Sequence, residues 1–140
     1  MIKRCLKIIL ITCIFPNFLL ANTQFFQEGL NLFKSKKFNE AKFKFEQDIV
    51  LNPKNELSYL YLSKIFKKLD EKELQEQNLN TVILLDPKNE EAIYNLAKLK
   101  LESSDYRNSK ELNNRLLNLC DKFCIKSKKL KLEIENLSKK

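Results

Sequence analysis

Two stretches, Leu51-Asn52-Pro53-Lys54-Asn55-Glu56 and Leu85-Asp86-Pro87-Lys88-Asn89-Glu90, decide how the chain is read, and their prolines lie 34 positions apart. Each stretch is a helix stop followed by a helix start. A proline just beyond a helix end gives up an N–H that no helix needs. Asn55 and Asn89 are good N-cap residues, and Glu56, Glu90 and Glu91 stand in the first turn, where negative charge suits the helix dipole. An apolar-periodic stretch follows each. A punctuated unit recurring at fixed spacing marks an array in which each unit buries its apolar face against the next.

With each proline set at position 32, the units run 22–55, 56–89 and 90–123. Position 4 then holds the bulky residues Phe25, Tyr59 and Ile93, and position 8 the small residues Gly29, Ser63 and Ala97. Position 20 holds Ala41, Gln75 and Ser109; position 28 holds Ile49, Ile83 and Leu117; position 30 holds Leu51, Leu85 and Leu119. The chain resembles the tetratricopeptide repeat, whose length is 34 residues. Unit 1 fits best. Lys72 and Gln75 break the pattern in unit 2, and Asp121 takes the proline slot in unit 3. The small residues at 8 and 20 let the two helices of a unit approach, and bulky residues at 4, 24 and 28 fill the space around that contact. Helices are predicted at 23–35, 38–51, 56–69, 72–85, 90–103 and 106–119. Asp70 and Glu73 are spaced as a capping box for the fourth.

Residues 125–140, IKSKKLKLEIENLSKK, place Leu130, Ile134 and Leu137 at helical spacing among lysines and glutamates. The last repeat of a solenoid needs a polar-faced cover. The fold class expected is therefore all-α: a helical-repeat solenoid of three helix–turn–helix pairs, then a capping helix and frayed tail over 124–140.

Composition narrows the chemistry. One glycine and three prolines argue against a turn-rich β-sandwich, whose hairpins each want a breaker, and exclude collagen-like and Pro/Gly-rich disordered classes. The absence of histidine removes His-based triads, His–zinc sites and imidazole acid–base catalysis. There is no Gly-rich phosphate loop and no nucleophile elbow. The reading is non-enzymatic, with no cofactor and no metal. The net charge is +8, and Lys3, Arg4 and Lys7 supply three of the positive charges. Without them +5 remains, spread along the helices, and arginine occurs only at positions 4, 107 and 115. That is not the concentrated basic stripe of a nucleic-acid binder.

Residues 1–21, MIKRCLKIILITCIFPNFLLA, have a basic start, an apolar run over Ile8–Phe15 and a small residue at Ala21. This is the layout of a secretory signal peptide. The run is shorter than the roughly 20 apolar residues of a membrane span. Export is expected, with cleavage after Ala21 and a place in the periplasm or cell envelope. The alternative is a membrane-tethered accessory subunit, with the leader uncleaved or lipidated at Cys13.

The resemblance implies function through binding, since the inner helices of the family line a concave groove for peptides or partner proteins. The implied groove residues are Phe26, Leu30, Phe33 and Lys34; then Leu60, Lys64, Lys67 and Lys68; then Tyr94, Lys98, Leu101 and Glu102. The sequence independently shows two stripes on the first helix, Phe25–Gly29–Leu32 and Phe26–Leu30–Phe33. The second either packs on the next repeat or meets a partner. The lysines favour a protein or peptide with an acidic segment. Some family members clamp a terminal carboxylate, but the matching positions here are Phe26, Leu30, Tyr61, Glu91 and Asn95, which do not carry that set. The function expected is an interaction adaptor or scaffold of the bacterial envelope; a structural oligomer built end to end is the other class. Cys120 and Cys124, at i and i+4 where repeat and cap join, are either a disulfide or two half-buried thiols.

Overall fold

Three turns with one backbone shape set the architecture. Lys36, Asp70 and Ser104, 34 residues apart, adopt left-handed φ values of 60°, 59° and 59°. The residue after each donates its N–H back across the turn: Lys37 to Leu32 O (3.0 Å), Glu71 to Phe66 O (2.9 Å) and Asp105 to Lys100 O (2.8 Å). Such bonds close a helix end only when the preceding residue is left-handed. The chain therefore reverses three times in the same way.

The computed structural model describes residues 23–138; the expected leader, 1–21, lies outside them. The described residues form seven helices and no strand: α1 (Gln24–Lys34), α2 (Phe38–Leu51), α3 (Glu56–Lys68), α4 (Lys72–Leu85), α5 (Glu90–Glu102), α6 (Tyr106–Leu119) and α7 (Cys124–Leu137). They pair as α1–α2, α3–α4 and α5–α6, with α7 against α6 and α5. The fold is an all-α helical-repeat solenoid. Among the described residues no helix is long and apolar enough to cross a membrane.

The caps correct two local expectations. Asp70 lies in the left-handed turn, whereas an N-cap needs extended backbone. The Asp70–Glu73 box is therefore not formed; Glu71 is the cap of α4 and makes no side-chain cap bond. Asn89 does cap α5, accepting from Ala92 N–H at 3.0 Å. Asn55 instead turns its amide to Asp48 Oδ2 at 2.7 Å. Asp48 is fully buried and accepts also from the hydroxyls of Thr23 and Ser58.

Within the first pair, Phe45 lies across Gly29, its ring stacked on Tyr61 at 5.2 Å and edge-on to Phe26 at 5.7 Å. A Cβ at position 29 would come within 2.8 Å of that ring. Alanine gains about 1 kcal/mol of helix propensity over glycine, but overpacking costs about 1–3 kcal/mol. Because the ring is held on two sides, Gly29→Ala is expected to lower stability by about 1 kcal/mol net in urea melts. A gain would show that the ring yields freely.

The core follows the repeats. Ala41, Phe45, Leu62, Ile65 and Phe66 form its first cluster, and Leu79, Val82, Ala92, Leu96 and Leu99 lie in the second. The third joins Ala97 and Leu101 of α5 to Leu130 and Ile134 of α7.

Candidate functional site

Phe33 of α1, Lys64 of α3 and Glu91 of α5 line one cleft, so the first helices of all three pairs share a face. The cleft measures about 270 Å³. Its cations are Lys64, Lys67 and Lys68, on successive turns of α3. Lys64 Nζ lies 2.9 Å from Glu91 Oε1 and 4.7 Å from the centre of the Tyr61 ring. Lys67 and Lys68 are exposed and form no ion pair among the described residues. Gln75 of α4 and Asn95 of α5 also line it.

The residues named from sequence divide into two sets. Phe26, Leu60 and Leu101 are 2%, 4% and 5% exposed, so their assignment to a partner-binding surface is corrected to core. Phe26 lies edge-on to Phe45 and, at 6.1 Å, to Tyr61, so the neighbouring repeat takes up its surface. Leu60 packs with Leu79, Val82 and Leu96. Leu101 is covered by α7, which occupies that end of the face. The other set keeps accessible surface. Leu30 and Phe33 are half-buried on the first cluster, with Phe33 edge-on to Tyr61 at 5.2 Å. Lys64 and Lys98 are half-buried and Lys67 is exposed. Tyr94 rests 5.5 Å from Phe123, and Lys126 of α7 lies over both rings.

Sequence reasoning missed two groups. Gln75 was visible only as an oversized residue at a small-residue position. Glu90 was visible only as a first-turn acid, yet its carboxylate accepts from Asp121 N–H (2.8 Å), Lys122 N–H (3.0 Å) and Phe123 N–H (2.7 Å). It thereby fixes the turn that opens α7. Burial pushes the Glu90 carboxyl up, but the three N–H groups outweigh it and hold the acid below its ordinary value.

The same turn carries the Cys120–Cys124 disulfide, with Cα atoms 5.1 Å apart. A loop this short removes little chain entropy. Reduction is expected to cost about 1–2 kcal/mol, under the usual range. Two titratable thiols in protein taken from its native compartment would reject the bridge.

No protein-family model matches the chain, and no curated protein does. Solved structures do. The Arabidopsis OM64 TPR domain is 21% identical, with 79% of this chain and 90% of that chain covered at a TM-score of 0.70. The Yersinia enterocolitica type III secretion chaperone SycD, in complex with a peptide of the translocator YopD, is 17% identical, with 84% and 93% covered at 0.74. The second TPR domain of human RPAP3, in complex with an HSP70 peptide, is 20% identical, with 75% and 90% covered at 0.65. With six helices in three like pairs, a seventh against the last pair, three left-handed turns of one shape and these neighbours, the chain has the tetratricopeptide-repeat fold.

Proposed function

We propose that the protein is a non-enzymatic adaptor of the bacterial cell envelope, holding an extended or helical segment of a partner protein on the face shared by α1, α3 and α5. The observation that carries the reading is the cleft itself. It joins the first helices of three repeats, has an aromatic edge at Phe33 and keeps two lysines without acidic partners. Two of the structural neighbours, SycD and RPAP3, were solved with peptides of their own partners, which supports a peptide-holding use of such a fold. The basic lining favours an acidic segment, chiefly by speeding encounter, an effect that fades as salt rises. Export rests on residues 1–21, and the envelope is the compartment in which the Cys120–Cys124 bridge would persist.

The test uses mature protein as bait on envelope extract, beside Lys64→Glu combined with Lys98→Glu. A partner held by the wild type and lost from the double variant, at unchanged melting temperature, is the expected result. Equal capture by both would place binding elsewhere. N-terminal sequencing of protein from cells is expected to begin near Asn22; an intact Met1 or an acylated Cys13 would replace the secreted form with a tethered one.

A further inference from the structure

Each helix pair reverses at one edge of the array and returns to the other. The left-handed turns at Lys36, Asp70 and Ser104 mark the first edge; the ends of α2, α4 and α6, with the loops leading on to α3, α5 and α7, mark the second. The second edge is tied together. Thr23, Asn55 and Ser58 all donate to Asp48, Arg115 donates to Pro87 O, and Glu90 accepts from the turn at 121–123. Its surface is apolar out of proportion. Val50 and Leu51 end α2, Leu84 and Leu85 end α4, Leu119 ends α6, and Leu57 and Ile125 stand in the first turns of α3 and α7. These are seven of the eleven large apolar side chains exposed among the described residues, against Leu74 and Leu137 at the turn edge. Val50 and Leu84 are each 79% exposed and Ile125 is 73% exposed, so the core gains almost nothing from them. Exposed apolar groups gathered in this way mark a contact with another body.

Three observations say what kind of body. The most exposed of these side chains are projecting knobs, which a fluid layer accommodates without a matching socket. Lys54, Lys88, Lys122 and Lys126 stand exposed beside them and form no ion pair among the described residues. Of the acids at this edge, Asp86 accepts from Lys88 N–H at 3.1 Å and Glu90 from three N–H groups, which leaves Glu56 and Asp121 against the four lysines. The chain also enters the fold here: Thr23, bonded to Asp48 in the last turn of α2, follows directly on the apolar N-terminal stretch. We propose that the edge formed by the ends of α2, α4 and α6 rests on a lipid bilayer with anionic headgroups. Val50, Leu84 and Ile125 enter the headgroup layer, and the lysines lie along its surface. This edge is separate from the face shared by α1, α3 and α5, and the inference does not depend on what that face binds.

The experiment uses protein beginning at Asn22, so that residues 1–21 cannot supply the binding. It is sedimented with vesicles of phosphatidylcholine alone or mixed with phosphatidylglycerol. Wild type is expected to bind the mixed vesicles more tightly than the neutral ones, and less tightly as salt rises. Val50→Ser with Leu84→Ser should weaken binding by about ten-fold or more, since two aliphatic groups no longer leave water. Lys88→Gln with Lys122→Gln should cost about five-fold per lysine on the mixed vesicles. Phe43→Ser, at an exposed side chain in the middle of α2, is the control and should bind as wild type does. The chain has no tryptophan, so one can be placed as a probe. The emission of Leu84→Trp should move to the blue on mixed vesicles, and that of Phe43→Trp should not. No binding by wild type, equal binding by Val50→Ser with Leu84→Ser, or an equal loss in Phe43→Ser would overturn the proposal. So would a wild-type dimer that this double variant dissociates, which would make the edge a contact between copies. Melting curves check folding; if the double variant melts early, the two tryptophan spectra decide. Failure here leaves the adaptor reading standing, since that rests on partner capture by the Lys64→Glu, Lys98→Glu variant.

Discussion

Asp48→Ala is expected to destabilise the protein by about 3 kcal/mol, because it strands three donors at a buried site. The Asp48 carboxyl group is inaccessible, and Thr23, Asn55 and Ser58 all donate to it. These residues tie the start of α1, the end of α2 and the start of α3 into one knot. The repeat supplies its own control. One unit on, the place of Asp48 is taken by Val82 and that of Ser58 by Ala92, both fully buried in an apolar contact. There Asn89, the counterpart of Asn55, is released to cap its helix. Replacing both sides of a buried polar contact by apolar groups can be nearly neutral. Asp48→Val with Ser58→Ala is therefore expected to recover most of the loss, to within about 1 kcal/mol of wild type. Equilibrium urea unfolding of the three proteins measures both numbers. A double variant as unstable as Asp48→Ala would show that the two repeat junctions are not interchangeable.

The contrast between these junctions explains what the sequence makes legible. The period was plain because Pro53 and Pro87 punctuate it, and six helix spans follow from that register to within a residue or so. The turns inside each pair were opaque. Their left-handed residues, Lys36, Asp70 and Ser104, share no chemistry and none is glycine, so the backbone shape is imposed by the helices on either side. The site was half legible for a related reason. A stripe on one helix identifies a buried face but not what buries it. Phe26 and Phe33 lie on one stripe and both meet Tyr61 of the next repeat, yet Phe26 also packs edge-on to Phe45 and is buried, while Phe33 keeps surface at the cleft. Gln75 appears as an error in a pattern until it is seen to line the cleft. Glu90 is the plainest case. Its partners lie 31 to 33 residues away, at the turn where the third proline is missing.

Truncation after Phe123 is expected to have the largest effect, because α7 completes the third repeat. Leu130 and Ile134 are 1% and 3% exposed, packed on Ala97 and Leu101. Ser127 is fully buried against α6: its hydroxyl donates to Asn113 Oδ1 at 2.8 Å, and Asn113 Nδ2 donates to Ser127 O at 3.1 Å. Loss of one buried aliphatic side chain costs about 2–5 kcal/mol. Two such losses plus an unpaired buried amide rival the roughly 5–15 kcal/mol that holds a typical domain together. The truncated protein is expected to lose the helicity of α5 and α6 or to aggregate through Leu101. The attachment of α7 also carries a pH signature. The Glu90 carboxyl titrates below its ordinary value of 4.5 in the folded protein. Its contribution is therefore complete above that value and is lost as pH falls through the lowered one. Hydrogen exchange in α7 should accelerate in that acid window before the first two repeats respond. Glu90→Gln, which keeps the shape but not the charge, should exchange faster at neutral pH and lose that acid step. A truncated chain that elutes as a monomer with an unchanged melting curve would show that the third repeat closes its own core. An acid step that persists in Glu90→Gln would assign the titration to another carboxyl.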